Sequence, residues 1–192
     1  MSSFADGDGL GSVTLTPDDR TAAVVAIKAA LRIASADDDP LIAALAETAL
    51  GLAEQFLGAA LIARDAVLVL PAVAGWQRLA ASPVAAIVSV AGLALDGTPT
   101  VLPVVAYDID IDARGDGWVR IGDAGGAARV AVTCRIGLAS GWAALPAPIR
   151  QGAVMLAGYL YSERDTTRPP PGAITALWRP YRGLALARAG HA

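Results

Sequence analysis

The chain has 192 residues, of which 55% are hydrophobic and only 5% aromatic; it is long enough for one domain, or a domain with a long arm, and too apolar to be disordered throughout. Its one cysteine, Cys134, excludes an intrachain disulfide and a cysteine-based zinc site, and its one histidine, His191, stands next to last, poorly placed for a rigidly held catalytic imidazole. The net charge of −3 is unevenly spread: ten acids and four bases in residues 1–65, six and five in 66–146, two acids and six arginines in 147–192. Such polarity suits two ends that meet different partners, though chance clustering on a solvated surface reads the same way.

Residues 1–15 are rich in Gly, Ser and Asp and read as a flexible N-terminal arm without the basic and apolar regions of a signal peptide. Thr16-Pro17-Asp18-Asp19 is a helix start, with a capping residue, a proline at the first helical position and acids at the positive helix end. The helix runs to about Ile33, with Val24, Ile27 and Leu31 on one stripe. Asp37-Asp38-Asp39-Pro40 repeats the signal as cap plus dipole contact, more simply than as a metal-binding acid cluster. The second helix carries Leu41, Leu45, Leu52 and Phe56 near the helical period and stops at Gly58.

The period then changes. Ala66–Leu70, Val84–Leu95, Val101–Asp112, Trp118–Ile121 and Ala128–Ile136 read as strands, with turns at Asp96-Gly97 and Asp116-Gly117. The longest uncharged run, Leu79 to Leu95, is too short and too interrupted for a spanning helix, so the chain reads as soluble and made inside the cell. Helix returns at Pro148-Ile149-Arg150-Gln151, with Ile149, Leu156, Tyr159 and Leu160 as its apolar face and Gly152 and Ala153 allowing close approach. Arg168-Pro169-Pro170-Pro171-Gly172 is a stiff linker to a short helix, Ala173–Trp178, stopped by Pro180.

Few residues suggest chemistry. Asp108, Asp110 and Asp112 resemble the start of a calcium loop, but its sixth and twelfth positions are Ala113 and Val119; a wet strand face or a weak cation site fits them. A carboxylate-dependent hydrolase would need two of Asp108, Asp110, Asp112 and Asp123 converging in a pocket. Cys134 shares the parity of Val130 and Val132 and reads as a buried, inert thiol. In the C-terminal segment Trp178, Tyr181, Leu184 and Leu186 alternate with Arg179, Arg182 and Arg188. Trp, Tyr and Arg are hot-spot residues, so the segment reads as a docking arm, as a tail folded back on its own domain, or as an arginine-based nucleic-acid contact of a small regulator.

In order and spacing, three stretches resemble the head–tail connector (adaptor) family of long-tailed bacteriophages and phage-like gene transfer agents. They are Asp37-Asp38-Asp39-Pro40-Leu41-Ile42 leading to Glu54-Gln55-Phe56-Leu57-Gly58; Ala147-Pro148-Ile149-Arg150-Gln151 with Tyr159-Leu160-Tyr161; and Trp178-Arg179-Pro180-Tyr181-Arg182. The resemblance implies an α+β fold. Its core is mainly helical, with two N-terminal helices (16–58) and a long C-terminal one (147–164), an antiparallel β insertion at about 60–137, and an extended arm. The connector domain would be 16–165, and 166–192 a Pro-rich linker and docking arm. It also implies a virion structural protein at the head–tail junction, with no catalytic residue, cofactor or metal. Subunits would form a ring, a dodecamer in its usual form, between the portal protein and stopper or tail-terminator proteins. Double-stranded DNA would pass through without sequence-specific binding, and no membrane would be involved. Trp178, Arg179, Tyr181, Arg182, Leu184 and Leu186 would bind the portal, and Ile149, Arg150, Gln151, Ala153 and Tyr159 would form the ring-packing helix.

Overall fold

The computed structural model describes residues 13–163 and 171–182. They form an α+β fold of four α-helices and two antiparallel sheets, divided into two compact units. One unit takes Pro17–Ala59 with residues 146–163 and 171–182; the other takes 13–16 and Ala60–Leu145, so the chain crosses between them at 16/17, 59/60 and 145/146.

The helical unit contains α1 (Pro17–Leu31), α2 (Asp39–Leu57), α3 (Ala147–Ser162) and α4 (Gly172–Trp178). The first three pack on one another, and α4 packs on α3. Helix α1 starts where its proline and paired acids place it, and Val24 and Ile27 are buried as their spacing implies. It ends at Arg32, a non-glycine residue in the left-handed region (φ 57°). Helix α2 ends at Gly58 (φ 68°), whose N–H donates to Glu54 O at 2.8 Å.

Two sequence expectations about α2 are corrected. Its buried face is Ile42, Ala46, Ala49, Leu50, Ala53 and Leu57, while Leu41 and Leu52 are 51% and 41% exposed. Small residues point inward because α2 contacts both α1 and α3 and alanine lets backbones approach. By length and composition α2 could cross a membrane, but this buried face makes it a core helix. Nor do the three aspartates act together as a cap. Asp38 occupies the N-cap without a side-chain cap bond and accepts a hydrogen bond from Tyr161 Oη at 2.5 Å. Asp39 accepts from Lys28 Nζ at 2.6 Å, and Asp37 from Ser35 Oγ at 2.6 Å.

The other unit holds β1 (Arg64–Pro71), β2 (Trp76–Arg78), β3 (Val84–Leu93), β4 (Pro99–Val101), β5 (Tyr107–Ile111), β6 (Gly117–Ile121) and β7 (Arg129–Ile136). Strand order is β1-β7-β3-β4 in one sheet and β2-β6-β5 in the other. On β7, Val130, Val132, Cys134 and Ile136 point inward at the period of two and join Val90, Val84, Leu79, Leu102, Val119 and Ile121 in the core. The long strand read over Val101–Asp112 is in fact broken. Pro103 cannot donate to a ladder, and a 3-10 turn, Val104–Ala106, separates β4 from β5. The second turn is centred on Ala113-Arg114, three residues earlier than Asp116-Gly117. Asp112 Oδ1 accepts from Arg114 N and Asp116 N at 2.8 and 3.0 Å, Gly115 takes φ 79°, and Gly117 is buried inside β6.

Candidate assembly surfaces

The C-terminal segment is built around Trp178. Its indole is 3% exposed, and Nε1 donates to the carbonyl oxygen of Ile149 at 3.2 Å. The ring packs against Phe56 (centroids 5.9 Å apart, tilted 48°). Gly152 makes room for it: a Cβ there would collide with the indole. Ile174, one turn earlier on α4, is also buried. Trp178 therefore points inward: it and Ile174, four residues apart, form the buried stripe of α4, while Leu177 beside them is half-buried.

Beyond Trp178 the chain turns its side chains outward. Arg179, Pro180, Tyr181 and Arg182 are all exposed, Tyr181 at 40%, and Arg182 lays its guanidinium 5.5 Å from the Phe56 ring centroid. Leu184 and Leu186 lie outside the described residues.

On α3, Ile149 and Ala153 are buried, Arg150 and Tyr159 are half-buried, and Gln151 is exposed. The first two are core positions, so an outer contact of α3 falls to Arg150 and Gln151. These two, with Ala26, Ala30, Ala147, Pro148 and Val154, line an open groove of about 480 Å³ between α1 and α3. A second groove, about 520 Å³, lies over α1 and the start of α2, where Val25 and Pro40 are exposed and Lys28 is paired with Asp39.

The three-stranded sheet carries a feature with no signature in the sequence. Cross-strand pairing sets Trp76, Arg120 and Asp108 in one rung and Arg78, Trp118 and Asp110 in the next. Val119 and Ile121 turn to the core, so both rungs face outward. Arg120 stacks over Trp76 at 5.4 Å and donates to Asp108 Oδ2 through Nε and Nη2 at 3.0 and 2.8 Å. Arg78 reaches Asp116 Oδ1 at 2.7 Å, which also accepts from Ser82 Oγ at 3.0 Å. The Arg78 bond holds the Asp116 carboxyl below the usual carboxylate range, against the opposing effect of burial. Only the pairing of three strands assembles this face, and β2, three residues long, carries no periodic signal.

The aspartates weighed as catalytic or cation-binding groups do not converge. Asp108 is in its ion pair, Asp110 is exposed, Asp112 closes a turn, and Asp123 accepts from Gly125 N at 2.8 Å. Among the described residues, no three His, Cys, Asp or Glu side chains gather as metal ligands would. Cys134 is buried, and burial first, then the charge of Asp65, pushes its thiol up to about 11, far from a reactive thiolate.

No protein-family model matches the sequence, and no curated protein does either. Solved structures do match. A chain in the neck of an empty gene transfer agent (GTA) particle, computed with C6 symmetry, superposes with a TM-score of 0.70 at 23% identity, over 90% of this chain and 94% of that one. A chain in the virion of a native GTA particle gives 0.69 at 24% identity, over 90% and 94%. A chain in the neck of a native GTA particle, computed with C12 symmetry, gives 0.68 at 24% identity, over 90% and 93%. At that identity the likeness is one of fold, and it extends over nearly the whole of both molecules: the chain is folded like a structural component of GTA particles.

Proposed function

We propose that the chain is a head–tail adaptor, a structural subunit of a ring set between the portal and the stopper or tail proteins of a phage-like particle, with double-stranded DNA passing through the ring. The observation that carries this reading is the near end-to-end fold likeness to chains in GTA particles, two of them in necks computed with C6 and C12 symmetry. The order of three adaptor-like motifs along the sequence supports it independently of the fold.

In this reading the particle's head–tail junction is where the protein works, and its role is positional rather than catalytic. The portal-facing residues are Arg179, Tyr181 and Arg182, exposed and consecutive along the chain but for Pro180, with Leu184 and Leu186 beyond them. Trp178 is the internal anchor that sets their direction. Arg150 and Gln151 serve contacts between ring neighbours.

The test is the triple substitution Arg179→Ala, Tyr181→Ala, Arg182→Ala, produced with the portal and assayed by co-sedimentation and particle microscopy. Portal attachment should fall by about tenfold or more while the thermal midpoint stays within a few degrees of wild type. Normal attachment would remove the docking role from this segment. Particles whose head–tail junction lacks the chain would remove the adaptor reading itself.

A further inference from the structure

Among the described residues, β1 and β4 lie at the edges of one sheet and β2 and β5 at the edges of the other. Three of these strands carry the features that keep an edge from pairing further. Leu102 N donates to Val90 O at 2.9 Å, so the even-numbered residues of β4 bond to β3 and its turned-out positions are Pro99, Val101 and Pro103, of which the two prolines have no N–H to give. β2 is three residues long, and β5 sets Asp108 and Asp110 among its five. β1 has none of these features. It runs for eight residues, and Ala66-Val67-Leu68-Val69-Leu70 is aliphatic throughout, with no charge and no proline before Pro71. Ala72 N donates to Ala128 O at 2.9 Å, which sets the even-numbered residues of β1 against β7 and turns the N–H and C=O groups of Asp65, Val67 and Val69 away from the sheet. The next carbonyl, on Pro71, accepts from Val73 N and Gln77 Nε2 at 3.0 and 3.1 Å, so the open edge stops there.

We propose that β1 is a strand-addition site, and that its occupant is an extended, uncharged segment of the protein that follows the ring, the stopper in the reading above. Backbone groups that alternate along an edge are matched by another extended backbone, so the ligand is a strand. The chain's own described edges do not supply it. Prolines close β4, β2 is too short, and any ladder between β1 and β5 sets Asp108 and Asp110 beside the aliphatic run. Pairing β1 with β1 of a second copy is isologous, whereas the contacts of a cyclic ring are heterologous. The residues read as portal-facing belong to the helical unit and β1 to the other, so portal and stopper engage different units of the chain. The inference rests on the adaptor reading.

The test combines the full chain with portal and stopper. Val67→Pro removes one turned-out N–H and leaves the bonds to β7, and Val69→Lys places a charge on the run. Each variant should keep the wild-type circular dichroism and portal attachment, and lose stopper retention by about tenfold or more in co-sedimentation. Hydrogen exchange of the wild type gives a reading that needs no variant. In the chain alone the amides of Val67 and Val69 should exchange about tenfold or more faster than that of Leu68, and the stopper should slow them by a similar factor. Variants that retain the stopper, or amides that it leaves fast, would overturn the site and leave the adaptor reading standing. Protection that rises with the concentration of the chain alone would assign the edge to a second copy, and protection lost on deleting residues 183–192 would assign it to the chain's own C-terminus; either result overturns the proposal. A wild-type chain that never joins portals would overturn the adaptor reading itself.

Discussion

At position 152 a single hydrogen decides the fate of the C-terminal segment. The Trp178 indole occupies the space where a side chain would begin, and its N–H ends on the carbonyl three residues back along α3. Gly152→Val should therefore expel the ring, at a cost of about 3 kcal/mol, comparable to removing a buried aromatic. The expected readouts are a lower thermal midpoint and faster tryptic cleavage after Arg182, since Pro180 blocks cleavage after Arg179. Gly51→Ala is the control: a Cβ there meets nothing, and α2 should gain up to about 1 kcal/mol of helix propensity. If Gly152→Val behaves like the control, Trp178 is not the anchor. The sequence marked Gly152 as a place of close approach and left open a tail folded back on its own domain, but it did not show that Trp178 is the group Gly152 admits. The direction of Trp178 depends on a glycine 26 positions earlier, and only tertiary packing brings the two together. Cys134 was legible, because the strict alternation of β7 gave its side of the strand directly.

Single elements were readable in proportion to how far local chemistry controlled them. Pro17 sets a helix start through its fixed φ and Gly58 a helix end through its freedom to take a positive φ, and the structure keeps both. The facing of α2 was not readable: its leucines have the helical period, but the neighbouring helices demand its alanines. The β5–β6 turn fell three residues from the Asp-Gly signal because Asp112 accepts two backbone N–H bonds and draws the turn onto itself. Asp116 then ties that turn to β2 through Arg78. Its carboxyl titrates lower in the folded chain than in the unfolded one, so the bond's contribution is complete above the ordinary aspartate pKa of about 3.9 and disappears as pH falls through the folded value. Asp116→Asn should cost about 1 kcal/mol at pH 7. Urea titrations at pH 7 and in strong acid should show the wild type losing this advantage and the two proteins converging. A constant gap across that range would mean that the pair adds nothing.

Across the whole molecule, the shift of hydrophobic period from helical to alternating and back was readable from the order of the residues, and it outlines a β region set between two helical stretches. What no pattern revealed is that the chain divides there into separate compact units, each of them assembled from discontinuous segments. With a sequence pI of about 5.0, the protein approaches zero net charge in mild acid. Light scattering should therefore find a solubility minimum near that pH, relieved towards neutrality; equal scattering at both would show that patches, not net charge, control association. The basic residues are distributed with an unusual bias: arginine everywhere, and a single lysine, Lys28, only 16% exposed and joined to Asp39. Amine-directed reagents therefore have almost no side-chain handle on this protein. Its neighbours in a larger assembly will be poorly sampled by succinimidyl esters and are better mapped through carboxylates, guanidinium groups or introduced thiols.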